Sequence, residues 1–336
     1  LYLQLESQCN SCLRLELKVD EKNKRIEILA DGELFTAYIY PDQVKKPVLW
    51  PLISPEGNML TRSYPLLDKE GDRTDHPHHV GVWFNYGDVN GLDFWNNSDA
   101  RPAEDRHMYG SIRHLSVENA KGGTGSAELI TCSEWLTPEG EILLKEESTF
   151  QFQAWGGLRI IDRTANLEAV ADTVLFRDNK EGMFAIRIAR ELELPSEGAV
   201  KLLDAHGNVT EVEHADNSLV RGNYRNADGV EGSEVWGTRC RWMKLSSEIN
   251  GERVSAVIID HPSNPGYPTY WHARGYGLFS ANTLGQRVFS KGEHELNFRL
   301  IRGESAEFNY RLVVASGDLS DEEINQLADD YGSDLE

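Results

Sequence analysis

Short segments of alternating apolar and polar residues run through most of this chain and constrain its fold more than any other feature. Examples are CLRLELKVD near the N-terminus, SIRHLSVE in the middle and AEFNYRLVVAS near the C-terminus. Alternation with a period of two, rich in Val, Ile, Phe, Tyr and Thr and broken by turn pairs such as DG and NG, is typical of half-buried antiparallel strands. About fifteen segments meet this description. The pattern therefore predicts an all-β protein.

The number of strands narrows the architecture. Fifteen or so are too many for a small immunoglobulin-like module and fit two large antiparallel sheets packed face to face. A propeller would show a blade repeat, and the sequence has none. In the tail LSDEEINQLADDYG, Ser320 and Glu323 form a predicted capping box at the start of a helix over 320–331. We predict a large antiparallel β-sandwich with one C-terminal helix.

The domain organisation follows from length and composition. The 336 residues would allow about two domains, but all-β architectures of this length often form one unit. The sequence contains no Pro/Ser/Gly linker and no low-complexity segment. We therefore expect a single domain over 1–336, with N-terminal strands in 11–65, a motif-bearing core in 66–315 and the C-terminal helix after it.

The charge balance excludes two classes of partner. The chain has 34 basic and 55 acidic residues, for a net charge of −21. An acidic surface repels phosphate backbones and anionic lipid, so we expect neither nucleic acid nor a membrane as partner. No run approaches the ~18 apolar residues that a spanning helix requires.

The chain begins with Leu rather than Met, as processed or truncated products do. We expect a periplasmic or secreted protein, with the cytoplasm as the alternative.

The four cysteines give no strong signal. They are Cys9, Cys12, Cys132 and Cys240, and only the first two are close in sequence. A CxxC pair without a second one is a weak indication of a zinc site. A disulfide or free thiols are the favoured interpretations.

The stretch RTDHPHHVGVWFNYGDVNGLDFW, residues 73–95, carries the densest chemistry. Alternation separates the side chains of its central strand into two faces. One face is expected in the core: Val80, Val82 and Phe84. The other is expected to bind a ligand: His79, Gly81, Trp83 and Asn85. An indole beside hydrogen-bonding groups suits the apolar face and hydroxyl rim of a sugar ring.

The loop before this strand holds further candidates. Pro77 disfavours helical backbone at the preceding residue, so His76 and His78 are expected to be extended. Imidazoles at this spacing could bind a divalent metal, transfer protons near neutral pH, or serve only as structural hydrogen-bonding groups. Asp75 precedes them. After the turn, Asp93 and Trp95 are candidates for substrate contact, whereas Asn90 in the NG pair is expected to stabilise the turn.

A second stretch, DHPSNPGYPTYWHARGYGLFSAN, spans 260–282. Alternation places four large side chains on one strand face: Tyr270, His272, Arg274 and Tyr276. Such a stripe is typical of a pocket for a polyhydroxylated ligand in which arginine holds a carboxylate or an oxyanion. The alternative is an aromatic and arginine ladder within a satisfied sheet.

A third stretch, NKEGMFAIRIARELE, places Phe184, Ile186 and Ile188 on an apolar face, with Glu181 and Arg187 opposite. The glutamate and arginine are expected either to form an ion pair that orients a carboxylate for proton transfer or to form a surface pair of little energetic value.

Several common catalytic signatures are missing from the sequence. It has no GxSxG elbow, no phosphate-binding loop and no GxGxxG fingerprint. Acyl transfer and nucleotide-dependent chemistry are therefore not expected.

These three stretches resemble the DUF6807 family, a bacterial family of unknown function. The resemblance rests on DHPHHVGVWFNYGDVNGLDFW, KEGMFAIR and DHPSNPGYPTYWHARGYGLFSAN and covers roughly residues 60–315. The family has also been called methane oxygenase PmoA, a name that implies a membrane-embedded copper subunit and does not fit a chain without a spanning helix. The resemblance implies a supersandwich similar to galactose mutarotases and several sugar lyases and hydrolases.

Taken together, these features predict an enzyme that acts on a sugar or glycoside by histidine and carboxylate acid-base chemistry, as a hydrolase, lyase or epimerase. Catalytic roles are predicted for His78, His79, His272, Glu181, Arg187, Arg274 and Asp75. Substrate contacts are predicted for His76, Trp83, Asn85, Asp93, Trp95, Tyr270 and Tyr276. The expected partner is a small sugar or oligosaccharide, and no cofactor is predicted. The alternatives are a non-catalytic carbohydrate-binding protein, or a metal-dependent lyase or oxidoreductase that uses His76, His78 or His79.

Overall fold

The computed structural model of the protein describes residues 11–333. Its strands are β1 (Arg14–Asp20), β2 (Arg25–Ala30), β3 (Glu33–Ile39), β4 (Val48–Leu52), β5 (Val82–Tyr86), β6 (Ser111–Lys121), β7 (Gly123–Thr124), β8 (Ser126–Leu136), β9 (Ile142–Trp155), β10 (Leu158–Ala169), β11 (Thr173–Phe176), β12 (Gly182–Arg187), β13 (Val200–Leu203), β14 (Val209–Val212), β15 (Asn223–Asn226), β16 (Trp242–Ile249), β17 (Glu252–Asp260), β18 (Tyr270–Trp271), β19 (Leu278–Asn282), β20 (Phe298–Ile301) and β21 (Ser305–Ser316).

The helices are few and mostly short. A single-turn helix, α1, spans Gln286–Phe289, and the C-terminal helix, α2, spans Asp321–Ser333. Four 3₁₀ segments lie at Asp42–Val44, Ala103–Met108, Arg190–Leu192 and Gly232–Val235. Within residues 11–333, no helix has the length and apolar character needed to cross a membrane.

Two large sheets contain most of the strands. The first has nine strands in the order β18-β19-β12-β5-β4-β3-β2-β1-β7, and the second has eight in the order β15-β16-β17-β21-β10-β9-β8-β6. The pairs within these sheets are antiparallel, with β10 joined to β21 and to β9 over long registers. Two small ribbons, β11-β20 and β13-β14, complete the described strands.

The two large sheets pack face to face through aromatic side chains. Phe35 of the first sheet lies 6.0 Å from Phe152 of the second, measured between ring centroids. Phe84 lies 5.7 Å from Phe308, and Phe184 stacks on Tyr310 at 5.1 Å. Aromatic pairs at these distances add to the free energy gained by burying their apolar surface. The predicted large antiparallel sandwich with a C-terminal helix is confirmed.

The capping box that begins α2 is also confirmed. The backbone N–H of Ser320 donates to Glu323 Oε2 at 2.8 Å, and the N–H of Glu323 donates to Ser320 Oγ at 3.2 Å. These bonds satisfy N–H groups at the helix start that have no partner within the helix. Along α2, Ile324, Ala328 and Tyr331 face the second sheet, because they recur at the spacing of one helix face.

Some sequence-based expectations differ from the structure. β13 to β16 were not predicted, because segments such as WMKLSSEI alternate weakly. His76 is not extended but has a left-handed φ of 44°, and the N–H of His79 closes the turn by donating to the His76 carbonyl at 3.0 Å. Cys9 lies outside the described residues, so the choice between a disulfide and free thiols for Cys9 and Cys12 stays a prediction. Cys132 and Cys240 are free thiols.

Candidate functional site

The three motif stretches meet at one cavity of about 560 Å³. They come together because β5, β12 and β19 are adjacent in the first sheet, with β12 paired to both neighbours. The residues lining the cavity are His76, His78, His79, Trp95, Asn96, Lys180, Glu181, His272, Arg274, Gly275 and Tyr276. A concave site of this volume is in the range of small-molecule pockets.

Arg62 fixes the histidine loop in place. This arginine is 1% exposed, and its guanidinium makes six hydrogen bonds between 2.7 and 3.1 Å. The acceptors are the carbonyls of Tyr64, Arg73, Asp75, His76 and His79 and the Oδ1 atom of Asp75. One side chain therefore satisfies most of the carbonyls of a turn that forms no regular secondary structure, as buried polar backbone requires.

Asp75 lies between two guanidinium groups. Its Oδ1 atom is 2.6 Å from Arg187 Nη2 and 2.9 Å from Arg62 Nη1. Burial alone would raise the pKa of Asp75, but His76 and the two arginine charges outweigh burial and hold the pKa well below its ordinary value. Asp75 is therefore ionised at neutral pH, and its carboxylate compensates buried cations.

Four flat side chains form a column beside the cavity. The Tyr276 ring stacks on His76 with a centroid distance of 5.0 Å, and His76 stacks on His79 at 4.8 Å. The His79 ring continues the column onto Trp83 at 5.3 Å. The column holds the imidazoles in fixed planes, with Tyr276 and His76 at its cavity end.

His79 is a neutral structural member of this column. The indole N–H of Trp95 donates to its Nε2 atom at 3.1 Å, and Arg187 Nη1 lies 3.4 Å from its Nδ1 atom. Burial and the neighbouring positive groups lower the pKa of His79 well below its ordinary value. Nε2 accepts from Trp95 and Nδ1 lies against Arg187, so neither ring nitrogen is open to a substrate.

Glu181 and His272 form a second pair of titratable groups. Glu181 Oε2 lies 3.6 Å from His272 Nδ1, and that nitrogen has no hydrogen-bond partner among the residues described. Burial raises the pKa of Glu181. Burial, assisted by the charge of Arg274, lowers the pKa of His272 to about 3. A carboxyl that holds its proton more readily thus faces an imidazole that is neutral at pH 7.

Gly87 allows Glu181 to occupy this position. The N–H of Gly87 donates to the Glu181 carbonyl at 2.8 Å. A Cβ atom added at Gly87 would lie 2.7 Å from Glu181 Cβ, closer than carbon atoms can approach without displacement. The glycine in the GDVNG turn is therefore required by the close approach of the strand that follows Glu181.

Two cationic side chains line the same cavity as the acid-base pair. Lys180 Nζ is 3.3 Å from Glu181 Oε1. The Arg274 guanidinium packs over the Trp236 ring at 4.6 Å and forms no ion pair within residues 11–333. Arg274 also lines the cavity, so its guanidinium is a candidate donor to a bound ligand.

Comparison with known families identifies the chain. The family of unknown function DUF6807 matches residues 25–329. The chain belongs to the DUF6807 family. The match includes all three motif stretches, so the cavity is formed by the part of the chain that DUF6807 describes. No curated protein sequence matches the chain significantly.

Solved structures give distant similarities to this DUF6807 protein. One is the GH36 alpha-galactosidase AgaB from Geobacillus stearothermophilus, with 11% identity and a TM-score of 0.37 over 90% of this chain and 41% of that one. Another is a galactose mutarotase related enzyme from Lactobacillus acidophilus, with 12% identity and a TM-score of 0.31 over 90% of this chain and 98% of that one. This chain thus spans about two fifths of the galactosidase.

Eight of the predicted site residues line the cavity: His76, His78, His79, Trp95, Glu181, His272, Arg274 and Tyr276. Three others lie behind its wall. Asp75 and Arg187 form the ion pair described above, and Arg187 is fully buried. Asp93 accepts hydrogen bonds from the backbone of Trp95 and Asn96, which shapes the turn that carries Trp95.

Three predicted substrate contacts lie away from the cavity. Trp83 and Asn85 are fully buried, and Asn85 donates to the Phe94 carbonyl at 2.6 Å. Tyr270 stacks on Phe289 at 5.4 Å. The predicted substrate contacts of Trp83, Asn85 and Tyr270 therefore do not line the cavity, and Tyr276 and Trp95 are the aromatic residues on its wall.

The expected ion pair between Glu181 and Arg187 is also absent. Arg187 lies at the end of β12 and pairs with Asp75, and at 3.9 Å with Glu193, whereas Glu181 pairs with Lys180. Glu181 precedes the first residue of β12, so strand alternation does not extend to it.

Sequence reasoning missed several residues of the site. Lys180 and Asn96 line the cavity, and in the sequence they directly adjoin the predicted site residues Glu181 and Trp95. Lys46 is buried behind it, where its Nζ donates to the His78 carbonyl at 2.8 Å and burial lowers its pKa to about 7. Arg62 and Lys46 lie outside the motif stretches, and nothing in the sequence marks them as buried.

A metal site at the histidine cluster is one of the alternatives that the sequence leaves open. Within residues 11–333, no group of three or more His, Cys, Asp and Glu side chains is arranged to hold a metal ion. His76, His78 and His79 pack ring against ring instead, with centroids 4.4 to 5.6 Å apart.

Proposed function

We propose that this protein is an enzyme that transfers protons on a sugar or glycoside, with Glu181 and His272 as its acid-base pair. The observation that carries the proposal is the 3.6 Å separation of these two groups on the wall of one cavity. The raised pKa of Glu181 suits it to donate a proton, and the neutral His272 ring has an unpartnered nitrogen to accept one.

The cavity suits a polyhydroxylated ligand. Its volume of about 560 Å³ can hold a small saccharide. Trp95 and Tyr276 are the aromatic residues on the wall, with the Tyr276 ring stacked on His76 and packed against Arg187, and Asn96, Lys180 and Arg274 can supply hydrogen bonds to hydroxyl groups. A non-catalytic binding protein would favour an exposed aromatic platform, whereas imidazole, carboxyl and guanidinium groups converge in this cavity.

The number of free carboxyl groups favours some reactions over others. Glu181 is the one acidic residue on the cavity wall among those described. Asp75 is engaged by Arg62 and Arg187. Hydrolysis by paired carboxylates needs a second free carboxyl group. A single carboxyl facing an imidazole is better suited to elimination or epimerisation, in which one group removes a proton and the other donates one.

Turnover of a panel of neutral, acidic and oxidised (keto) glycosides tests the proposal. Glu181→Gln and His272→Gln should each lower turnover at least about 100-fold, the usual contribution of a general acid or base. Glu295→Gln, at an exposed ion pair, and His107→Gln, at an exposed 3₁₀ segment, are the matched controls and should retain turnover. Full turnover by both cavity variants on a substrate of the wild type would show that the acid-base assignment is wrong.

The metal-dependent alternative is tested on the same protein. Less than about a tenth of an equivalent of bound metal, together with turnover that a chelator does not change, would argue against it. Loss of turnover with the chelator and recovery on adding a divalent metal would support it instead.

A further inference from the structure

The charge around the cavity is opposite to that of the whole protein. The chain carries a net charge of −21, yet the cavity wall contains Lys180 and Arg274 against the single carboxyl of Glu181. Behind the wall, the cations Arg62, Arg187 and Lys46 are offset by the carboxylates of Asp75, Glu193 and Asp93, so the excess of positive charge lies on the wall itself. Positive charge is therefore concentrated locally at this site, and such a site attracts anions despite the acidic surface.

Arg274 differs from three arginines that lie close to the core. Arg73, Arg163 and Arg311 each pair with a carboxylate, at 2.6 to 2.7 Å. Arg274 has no such partner within residues 11–333 and is positioned by the indole of Trp236. A guanidinium that is held in place but not neutralised is suited to bidentate binding of a planar anion.

Two buried imidazole nitrogens on the same wall also lack partners among the described residues. They are Nε2 of His78 and Nδ1 of His272, and the two residues are only 5% and 2% exposed. Buried polar atoms without a partner cost free energy, and a bound ligand can supply the missing hydrogen bonds. The unpaired guanidinium and these nitrogens point independently to a ligand in this cavity.

We infer that the ligand is a sugar bearing a carboxylate, held by Arg274 and Lys180. This inference rests on the proposed function, which it narrows from sugars in general to acidic sugars. The carboxylate would neutralise Arg274 and give Lys180 a second acidic partner besides Glu181. It would also weaken the effect of Arg274 on His272, so the imidazole becomes a better base when the substrate is bound.

The chemistry of such a substrate fits the acid-base pair. The C–H group next to a carboxylate becomes more acidic when that carboxylate is neutralised by cations. His272 Nδ1 would take this proton. The electron pair left on carbon either accepts a proton on the opposite face, which is epimerisation, or forms a C=C bond. In the second case the C–O bond at the next carbon breaks, and the departing oxygen takes the proton of Glu181. Neither route needs an oxidant or a reductant.

Binding measurements on matched glycosides test the inference separately from turnover. The probes are methyl glucuronoside and methyl galacturonoside, their neutral glucoside and galactoside counterparts, and the 6-sulfates of those neutral sugars. Titration calorimetry should show at least about tenfold tighter binding of a uronoside than of its neutral counterpart. Raising the salt concentration should weaken binding of the uronosides and leave binding of the neutral glycosides unchanged.

The variants assign the effect to Arg274. Arg274→Gln should lower uronoside affinity at least about tenfold and leave neutral glycosides unchanged, whereas Arg274→Lys should retain part of the preference. Arg302→Gln removes an exposed guanidinium that pairs with Asp172 and does not line the cavity, so it should have no effect. Thermal unfolding midpoints identify any variant that fails to fold.

The outcomes distinguish the two proposals. Equal affinity for uronosides and neutral glycosides overturns the inference, and turnover of neutral keto glycosides that depends on Glu181 would then leave the proposed function standing. Equal affinity for uronosides and the 6-sulfates overturns the assignment to a carboxylate. Uronoside binding that depends on Arg274, without turnover of any glycoside, supports the inference and contradicts the proposed function.

Discussion

The outer faces of the two sheets are both buried, but by different means. On the eight-stranded sheet, α2 lies against an apolar cluster that includes Trp242, Val257 and Val313. On the nine-stranded sheet, irregular loops cover Trp83, Ala185 and Leu278 and bring with them a network of arginines, carboxylates and imidazoles. A helix satisfies its own backbone, whereas the loops depend on buried side chains for their hydrogen bonds.

The helix-covered face therefore contributes mainly to stability, whereas the loop-covered face carries the candidate site. The helix-covered face gains free energy mainly from apolar burial, and its fully buried arginine, Arg311, is engaged by Asp162 and by the Leu327 carbonyl. The loop-covered face bears the cost of buried charge and gains fixed polar groups around a cavity. Substitutions on the two faces should therefore have separable effects on stability and on ligand binding.

The largest effect is expected at Arg62 on the loop-covered face. Arg62→Leu removes six hydrogen bonds and leaves the carboxylate of Asp75 with one of its two guanidinium partners. Breaking a buried ion pair costs about 3–5 kcal/mol. We expect a loss of about 4 kcal/mol in the free energy of unfolding, measured in urea, with loss of ligand binding.

Arg302→Leu is the matched control, because it makes the same change at an exposed site. It should alter the free energy of unfolding by less than about 0.5 kcal/mol. If Arg62→Leu were as stable as this control, the loop would not depend on the arginine, and the contrast between the two faces would lose its physical basis.

The next effect is expected under α2. Ile324 is fully buried against the second sheet. Ile324→Ala should lower the free energy of unfolding by about 3 kcal/mol, since large-to-small substitutions in a core cost about 2–5 kcal/mol. The folded fraction should bind ligand as the wild type does. A change in affinity comparable to that caused by Arg274→Gln would show that the two faces are coupled.

The sequence predicts elements better than it predicts the site. Alternation identified most strands because one face of each packs in a core, and the Ser320–Glu323 capping box marked α2 because its bonds are local. The motif stretches converge because neighbouring strands of one sheet carry them. Local patterns of this kind can be recognised from residue order alone.

The roles of single side chains depended on contacts that residue order does not contain. Trp95 donates to His79 across 16 positions, and Arg187 bonds Asp75 across 112. Alternation therefore predicted that Trp83 contacts a ligand, although loops bury its side chain. Arg62 stands alone in LTRSYP, where no motif distinguishes a buried arginine from an exposed one.

A smaller effect on stability, with a larger one on function, is expected at Gly87. Gly87→Ala places a Cβ atom 2.7 Å from Glu181 Cβ. Overpacking of this kind costs about 1–3 kcal/mol, and we expect about 2 kcal/mol in urea unfolding. Because the clash falls on Glu181, turnover of the substrate should fall by more than in Ile324→Ala. Gly140→Ala is the control: like Gly87 it lies in a turn, but no atom lies within 4 Å of the added Cβ.

The Gly140→Ala control differs from Gly87→Ala in its backbone. Gly140 has a φ of +89°, so alanine there strains the backbone and lowers the free energy of unfolding somewhat. The comparison therefore depends on turnover rather than stability. Wild-type turnover in Gly87→Ala would show that Glu181 is not held in place by this close approach.

The smallest effect is the pH dependence of stability on the loop-covered face. Burial and Arg274 lower the pKa of folded His272 to about 3, whereas an unfolded histidine has a pKa of about 6.5. The stability due to the neutral ring is thus complete above pH 6.5 and is lost as the pH falls toward 3. Replacing His272 by Gln, which does not titrate, should remove this loss.

Urea unfolding at pH 7.5 and pH 5.5 measures the effect. Between these values the wild type should lose about 1 kcal/mol more than His272→Gln, because protonation of the unfolded ring contributes up to about 1.4 kcal/mol per pH unit. Glu193 and Asp260, whose pKa burial raises to about 7, act in the opposite direction in both proteins and cancel in the difference. His107→Gln, at an exposed site, should match the wild type. An equal loss in wild type and His272→Gln would mean that His272 takes up protons freely in the folded state, and the ring would then not be the buried neutral group that the acid-base pair requires.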